Sequence, residues 1–255
     1  MLHLLESLSK WIVIISLAVM LITFSSKDDL PDPEAYNLDR LTDPKQEKTS
    51  RSPFSVEAGG ESYIINPKFS YQLEGVVVSY HNADALDDIY HQGSWKDFLN
   101  VRDLCVIWGD NIGSGVYQKM SFKNSTWTCW YSWNDAETGL RFKGEQLSNN
   151  HVLTDDSELK HLLMSTETGD HIRMEGLLAE YENPSNGFNR GTSTVRTDSG
   201  NGACETIYIE HFEIIQKANK RIRSLYHAAK WILIISLSLY LTLFFITPVK
   251  KTRFK

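Results

Sequence analysis

Cysteine is scarce in this sequence. The three residues, Cys105, Cys129 and Cys204, form no C-x-x-C pair, which argues against a structural zinc module. Basic residues are scarce in the middle of the chain. Residues 25–216 hold 31 acidic against 16 basic side chains, a net of −15. Such a surface repels phosphate backbones and argues against nucleic acid as a partner of this region. No internal repeat is visible, and no catalytic constellation stands out. Charge itself is missing from two stretches, one near each end, where the apolar residues concentrate.

Residues 11–24 (WIVIISLAVMLITF) are uncharged. Alone they are short for a helix that must cross about 30 Å of hydrocarbon with about 20 residues. Leu2, Leu4, Leu5 and Leu8 extend the segment backwards, and Lys10 can snorkel to the headgroups. The reading is an uncleaved anchor over 1–25. The competing reading is a signal peptide, for which Thr23 and Ser25 form a poor cleavage pair. Residues 228–247 are a clearer span, with Trp231 near one edge and Lys250 and Lys251 at the other. Five basic residues fall between 217 and 230, and a basic tail occupies 248–255. These clusters suit anionic lipid headgroups, so membrane lipids are expected partners. Two spans place both termini on one side. The short basic tails favour the cytoplasm for them, which puts the intervening domain in the periplasm of a cell inner membrane.

Between the spans, 26–53 reads as a polar linker and 54–216 as one globular domain, followed by a basic juxtamembrane stretch over 217–227. Strand-like segments are 62–66, 72–80, 103–108, 126–133, 140–147, 171–182, 191–197 and 203–215, rich in β-branched and aromatic residues. In 126–133 the alternation places Trp127, Cys129, Tyr131 and Trp133 on one face, read as core, with Trp130 opposite. Short helices are expected over 83–91 and 94–101. A further helix follows Asp155, with Glu158 completing a capping pattern and Leu159, Leu162 and Leu163 on one face. Turns are expected at 183–187 and 198–202. The fold class is therefore mainly β with some α, an OB-like small barrel first and a mixed sandwich second.

Five motifs, HNADALDDIYH (81–91), WKDFLNVRDLCVIWGDN (95–111), WTCWY (127–131), LSNNH (147–151) and GTSTVRTDSGNGACETIY (191–208), carry a likeness that covers most of 54–215. On these the chain resembles an uncharacterised family of bacterial membrane-anchored proteins. That family has Thr where this chain has Ser199. The resemblance implies a membrane-held domain and supplies no mechanism.

Five candidate sites emerge. His81, Asp84, Asp88 and His91 combine imidazole and carboxylate ligands at spacings that share a helix face, a pattern suited to a divalent metal. The bland alternative is a solvated, charge-paired face. Ser148, Asn149, Asn150 and His151 read as a polar turn ahead of the helix, with a general base as the less favoured reading. Arg196, Gly200, Asn201 and Gly202 form a glycine-rich turn able to bind an anion, or simply a hairpin needing positive φ. Cys105 and Cys129 become neighbours, and a candidate disulfide, if their strands pair. Trp130, on the outer face, could stack on a sugar or contact a partner. The leading expectation is a binding or scaffolding module, an accessory subunit of a larger membrane assembly with other membrane proteins as partners. The alternative is a metal-dependent hydrolase acting on an envelope substrate.

Overall fold

The computed structural model describes residues 2–247 except 86, 87, 89, 196 and 199–203. It contains two compact units, one made of the chain ends and one spanning 30–218.

The first unit consists of α1 (Leu2–Ser26) and a long terminal helix (Lys220–Ile246). Each is long and apolar enough to cross a bilayer. Ser9, Ser16 and Thr23 are buried in α1, and Ala229, Ser236 and Leu243 in its partner, both sets at a spacing of seven. All but Leu243 are small, and small side chains on a heptad seam let two helix backbones approach closely. The hydroxyls cost nothing in hydrogen bonds: Ser16 Oγ donates to the Ile12 carbonyl at 2.7 Å and Thr23 Oγ1 to that of Val19 at 2.8 Å. Phe24 packs near Tyr226, centroids 6.1 Å apart, so the end of α1 lies beside the start of its partner.

The second unit is α+β and mostly sheet. Its elements are β1 (Lys45–Lys48), β2 (Phe54–Ala58), β3 (Glu61–Asn82), β4 (Asn100–Ile107), α2 (Asp110–Gly113), β5 (Met120–Ser125), β6 (Thr128–Trp133), α3 (Ala136–Arg141), β7 (Leu147–Leu153), α4 (Ser157–Met164), β8 (His171–Asn183), β9 (Phe188–Arg190) and β10 (Glu205–Gln216). Five strands close a ring in the order β3-β4-β7-β10-β8 and back to β3. Only the β7–β10 pair is parallel, and α4 connects β7 to β8. A five-stranded ring with that helix fits the OB-like expectation. Hydrophobic strands such as β4, buried along its whole length, fill the interior with Leu104, Val106, Ile107, Ile172, Met174 and Ile207.

The sequence expectations need correction in several places. Residues 62–66 and 72–80 belong to one strand, β3, because Pro67 falls at a register shift against β8, where a residue without N–H is tolerated. No α-helix occupies 83–91 or 94–101 among the described residues. Ala83 and Asp84 turn, Tyr90–Ser94 makes one π turn, and Lys96 takes φ +48. The aspartates there bond local backbone instead: Asp88 accepts from the His91 amide and Asp97 from the Asn100 amide. Residues 140–146 are not strand; Asp135 caps α3 through the Thr138 amide, and the strand starts at Leu147. The segment 26–53 is no free linker. Tyr36 and Leu41 are buried in the core and β1 pairs with β3. The cap of α4 is Asp156, one residue beyond Asp155. Of 191–197 only the preceding 188–190 is strand, and the turn at 198–202 lies almost wholly outside the described residues.

Gly176 of β8 sits where β8 crosses β10, and a Cβ there would lie 2.1 Å from the Tyr208 carbonyl oxygen. Backbone cannot step aside cheaply, so Gly176→Ala is expected to destabilise the domain by about 2–4 kcal/mol. Urea denaturation of the variant with an unchanged midpoint would contradict this reading of the β8–β10 contact.

Candidate functional site

The most unusual chemistry lies inside the domain, where a chain of polar side chains crosses from the β3–β4 connection to β9. Its centre is Asp103 on β4, 1% exposed. The register sets His81 of β3 beside Asp103 and Asp103 beside His151 of β7. His151 Nδ1 and Asp103 Oδ1 are 2.6 Å apart, and His151 Nε2 lies 2.7 Å from Arg190 Nη2. A guanidinium can only donate, so His151 Nε2 accepts and its proton sits on Nδ1, donated to Asp103. The imidazole is therefore neutral and bridges a carboxylate to a cation.

Asp103 serves two further groups. Asn100 Nδ2 donates to Oδ1 at 3.2 Å, and the Trp127 amide donates to Oδ2 at 3.2 Å. Burial pushes the Asp103 carboxyl up, but the hydrogen bonds from His151 and Asn100 favour the charged form, and it lies below the usual carboxylate range. Asn100 Nδ2 also reaches His91 Nε2 at 3.3 Å, while its Oδ1 is buried with no hydrogen-bond partner among the described residues.

Asp88 is the second anionic centre. Its Oδ2 takes His91 Nδ1 at 2.6 Å and His81 Nε2 at 2.8 Å, with Thr126 Oγ1 at 3.3 Å. Burial raises this carboxyl too, and the two imidazole hydrogen bonds more than offset the effect, leaving it lowered. Asp97, fully buried, accepts the Tyr181 hydroxyl at 2.6 Å, and burial raises its pKa.

Trp127 joins these pieces. It holds φ +68, a left-handed conformation that costs a non-glycine residue about 1–2 kcal/mol. Its carbonyl accepts from Asn149 Nδ2 at 3.1 Å and from the Cys204 thiol at 3.5 Å. Its ring lies 4.2 Å from His91, 4.8 Å from His151 and 3.8 Å from the Arg190 guanidinium. Arg190 makes no salt bridge with a carboxylate among the described residues; the neutral imidazole and the indole face are its neighbours.

Of the residues proposed for a metal, the structure brings together His81, Asp88 and His91, both imidazoles hydrogen-bonded to Asp88, and leaves Asp84 exposed. Among the described residues no group of three or more His, Cys, Asp or Glu is arranged to hold a metal ion. Ser148, Asn149, Asn150 and His151 are not a turn; all four are buried in β7. Four successive polar residues mimic a loop, but their partners come from β4, β5 and β9, far away in sequence. Arg196, Gly200, Asn201 and Gly202 lie outside the described residues. Cys105 of β4 and Cys129 of β6 are joined by a disulfide, Cα atoms 5.8 Å apart, although β6 pairs with β5 and not with β4. Burial raises the remaining thiol, Cys204. Sequence reasoning missed Asp97, Asn100, Asp103 and Arg190. The visible signal was Asp103, a carboxylate opening the apolar run DLCVIW.

Comparison with protein-family models, curated proteins and solved structures finds no match for the chain.

Asp103→Ala leaves the His151 Nδ1 proton and the Trp127 amide without their acceptor, and is expected to cost about 3–5 kcal/mol at neutral pH. Asp88 and Asp103 have lowered folded-state pKa values, so their contribution is present above the unfolded carboxylate value, about 4, and is lost as pH falls through the folded values. Stability measured by urea titration should therefore fall with acidification below about pH 4, less steeply in the variant. Equal slopes for variant and parent would remove Asp103 from the linkage.

Proposed function

We propose that this chain is a membrane-anchored binding or scaffolding module, an accessory subunit of a larger membrane assembly, and that its globular domain performs no catalysis. The observation that carries this reading is the ending of the Asp103–His151 pair on Arg190. A carboxylate-oriented imidazole works as a general base when its free nitrogen faces a nucleophile or water. Here that nitrogen accepts from a guanidinium. The one free thiol is turned toward the Trp127 carbonyl, with its pKa raised by burial, the opposite of an activated nucleophile.

What the arrangement favours is recognition. The connections after β3 and β8 converge on the Arg190–Trp127 face, and in OB-like rings such loops frame the ligand site; this is an analogy of fold alone. A cation lacking a carboxylate partner among the described residues, in a strongly acidic domain, is suited to an acidic group on a partner protein. The resemblance to bacterial membrane-anchored proteins and the two terminal apolar helices support an inner-membrane location. The basic tails support cytoplasmic termini and a periplasmic domain. The hydrolase alternative has less support, because Asp88 Oδ2 is engaged by both imidazoles.

A photoreactive residue in place of half-buried Phe188, beside Tyr181 and Trp95, is expected to cross-link a discrete partner protein in native membranes. Arg190→Ala should abolish the adduct while near-ultraviolet circular dichroism confirms a folded domain. Recovery of no adduct in the parent would sink the proposal. Separately, zinc or manganese added to the purified chain is expected to leave the melting temperature unchanged; a rise would favour the hydrolase.

A further inference from the structure

The β5–β6 hairpin and α3 form a second feature that the buried network does not use. β6 is hydrogen-bonded to β5 alone among the described residues, so its other edge is open. Trp130 is 61% exposed, Tyr131 40%, Trp133 47% and Leu140 of α3 88%. Trp130 lies on one face of the hairpin, directly across from exposed Lys123. Tyr131 and Trp133 lie on the other, ring centroids 6.3 Å apart. The strand thus spreads aromatic rings to both sides of a free edge. This corrects the expectation that Tyr131 and Trp133 face the core.

The local charge is reversed as well. Over 116–146, Lys119, Lys123, Arg141 and Lys143 outnumber Asp135, Glu137 and Glu145, in a domain that is otherwise strongly acidic. Lys143 is held by Asp110 and Arg141 by Glu137, while Lys123 forms no salt bridge among the described residues. The hairpin is also pre-ordered. The disulfide ties its turn end to β4, Asn124 Nδ2 donates to Asn149 Oδ1 at 2.9 Å, and Ser79 donates to Asn124 Oδ1 at 2.5 Å.

We propose that this hairpin and α3 form a lipid-contacting device that lies in the anionic headgroup layer of a bilayer. Trp130, Tyr131, Trp133 and Leu140 enter the layer, and Lys119 and Lys123 meet its phosphates. Tryptophan and tyrosine combine an apolar body with a polar tip and concentrate at membrane–water interfaces, and basic side chains beside them meet anionic lipid. The open edge sets the depth. Unpaired backbone N–H groups of β6 find acceptors among phosphates and water but none in hydrocarbon, so the strand rests at headgroup level. The terminal apolar helices tether the domain to a bilayer and raise the local concentration of that surface. The inference concerns residues other than the Arg190 face and does not depend on its ligand.

The test uses the full chain with Cys204→Ser and Ser132→Cys, labelled with bimane without reductant, in vesicles of phosphatidylcholine mixed with phosphatidylglycerol. Expected are blue-shifted emission, loss of quenching by aqueous iodide, and quenching by lipid spin-labelled near the headgroup. Lys119→Glu with Lys123→Glu should restore iodide quenching. A label that stays fully quenched by iodide in these vesicles overturns the inference. If such a label is shielded in native membranes, the hairpin is covered by a protein instead of lipid.

Discussion

The Asp103 carboxylate is the constraint around which the interior of the domain is arranged. Removing a carboxylate from water carries a penalty of several kcal/mol even after relaxation, unless donors replace the lost hydration. Asp103 obtains those donors from three separate segments: His151 on β7, Asn100 on its own strand and the Trp127 amide in the turn of the β5–β6 hairpin. One buried anion therefore fixes the β4–β7 register, the start of β4 and the entry to β6 together. It also explains why Trp127 tolerates a left-handed backbone, since its amide is needed at Oδ2 and its ring is needed between two imidazoles and a guanidinium.

The remaining buried ions follow the same logic by a different route. Asp88 is served by His81, His91 and Thr126, and Asn100 links His91 to Asp103. The sequence region between β3 and β4, which has no regular helix among its described residues, is held by these side chains instead of by backbone periodicity. Arg102 shows the pattern on the opposite side of the strand. It is buried, stacks 4.1 Å over Tyr80 and donates to the Leu163 and Thr166 carbonyls at the end of α4. Adjacent residues on β4 thus anchor two different connections, one through an acid and one through a base.

This division accounts for what the sequence could and could not reveal. β4 was legible because burial of both faces leaves an apolar run, and β8 and β10 because their β-branched and aromatic residues recur between polar ones. The α4 helix was legible from its capping aspartates and leucine face. β7 was not, because Ser148 to His151 are polar and buried, and their partners arrive from 22 to 55 residues away, as Asn149 shows with Trp127 and Cys204. Periodicity reports solvent exposure, and it fails where polar atoms find one another inside. The same failure reversed the reading of 126–133. Alternating aromatics signalled a core face, yet Tyr131 and Trp133 stay exposed because β6 stands on a two-stranded hairpin outside the ring.

The domain thus seals ionic groups inside while leaving Trp130 and Trp133 outside. Replacing a buried ionic network by apolar residues is often neutral or stabilising, so such a network is weak evidence of selection for stability. The exposed aromatics are no better explained by folding. Fully burying one large apolar side chain is worth about 1.5–3 kcal/mol, and Trp130, at 61% exposure, forgoes most of that. The disulfide reinforces the point. A cross-link that closes a loop of 24 residues constrains the unfolded chain, and here it also fastens β6, a strand with no buried residue. The interior thus positions one tryptophan ring between imidazoles and a guanidinium, and the one covalent cross-link fastens the hairpin to β4, so both features are held in fixed orientation.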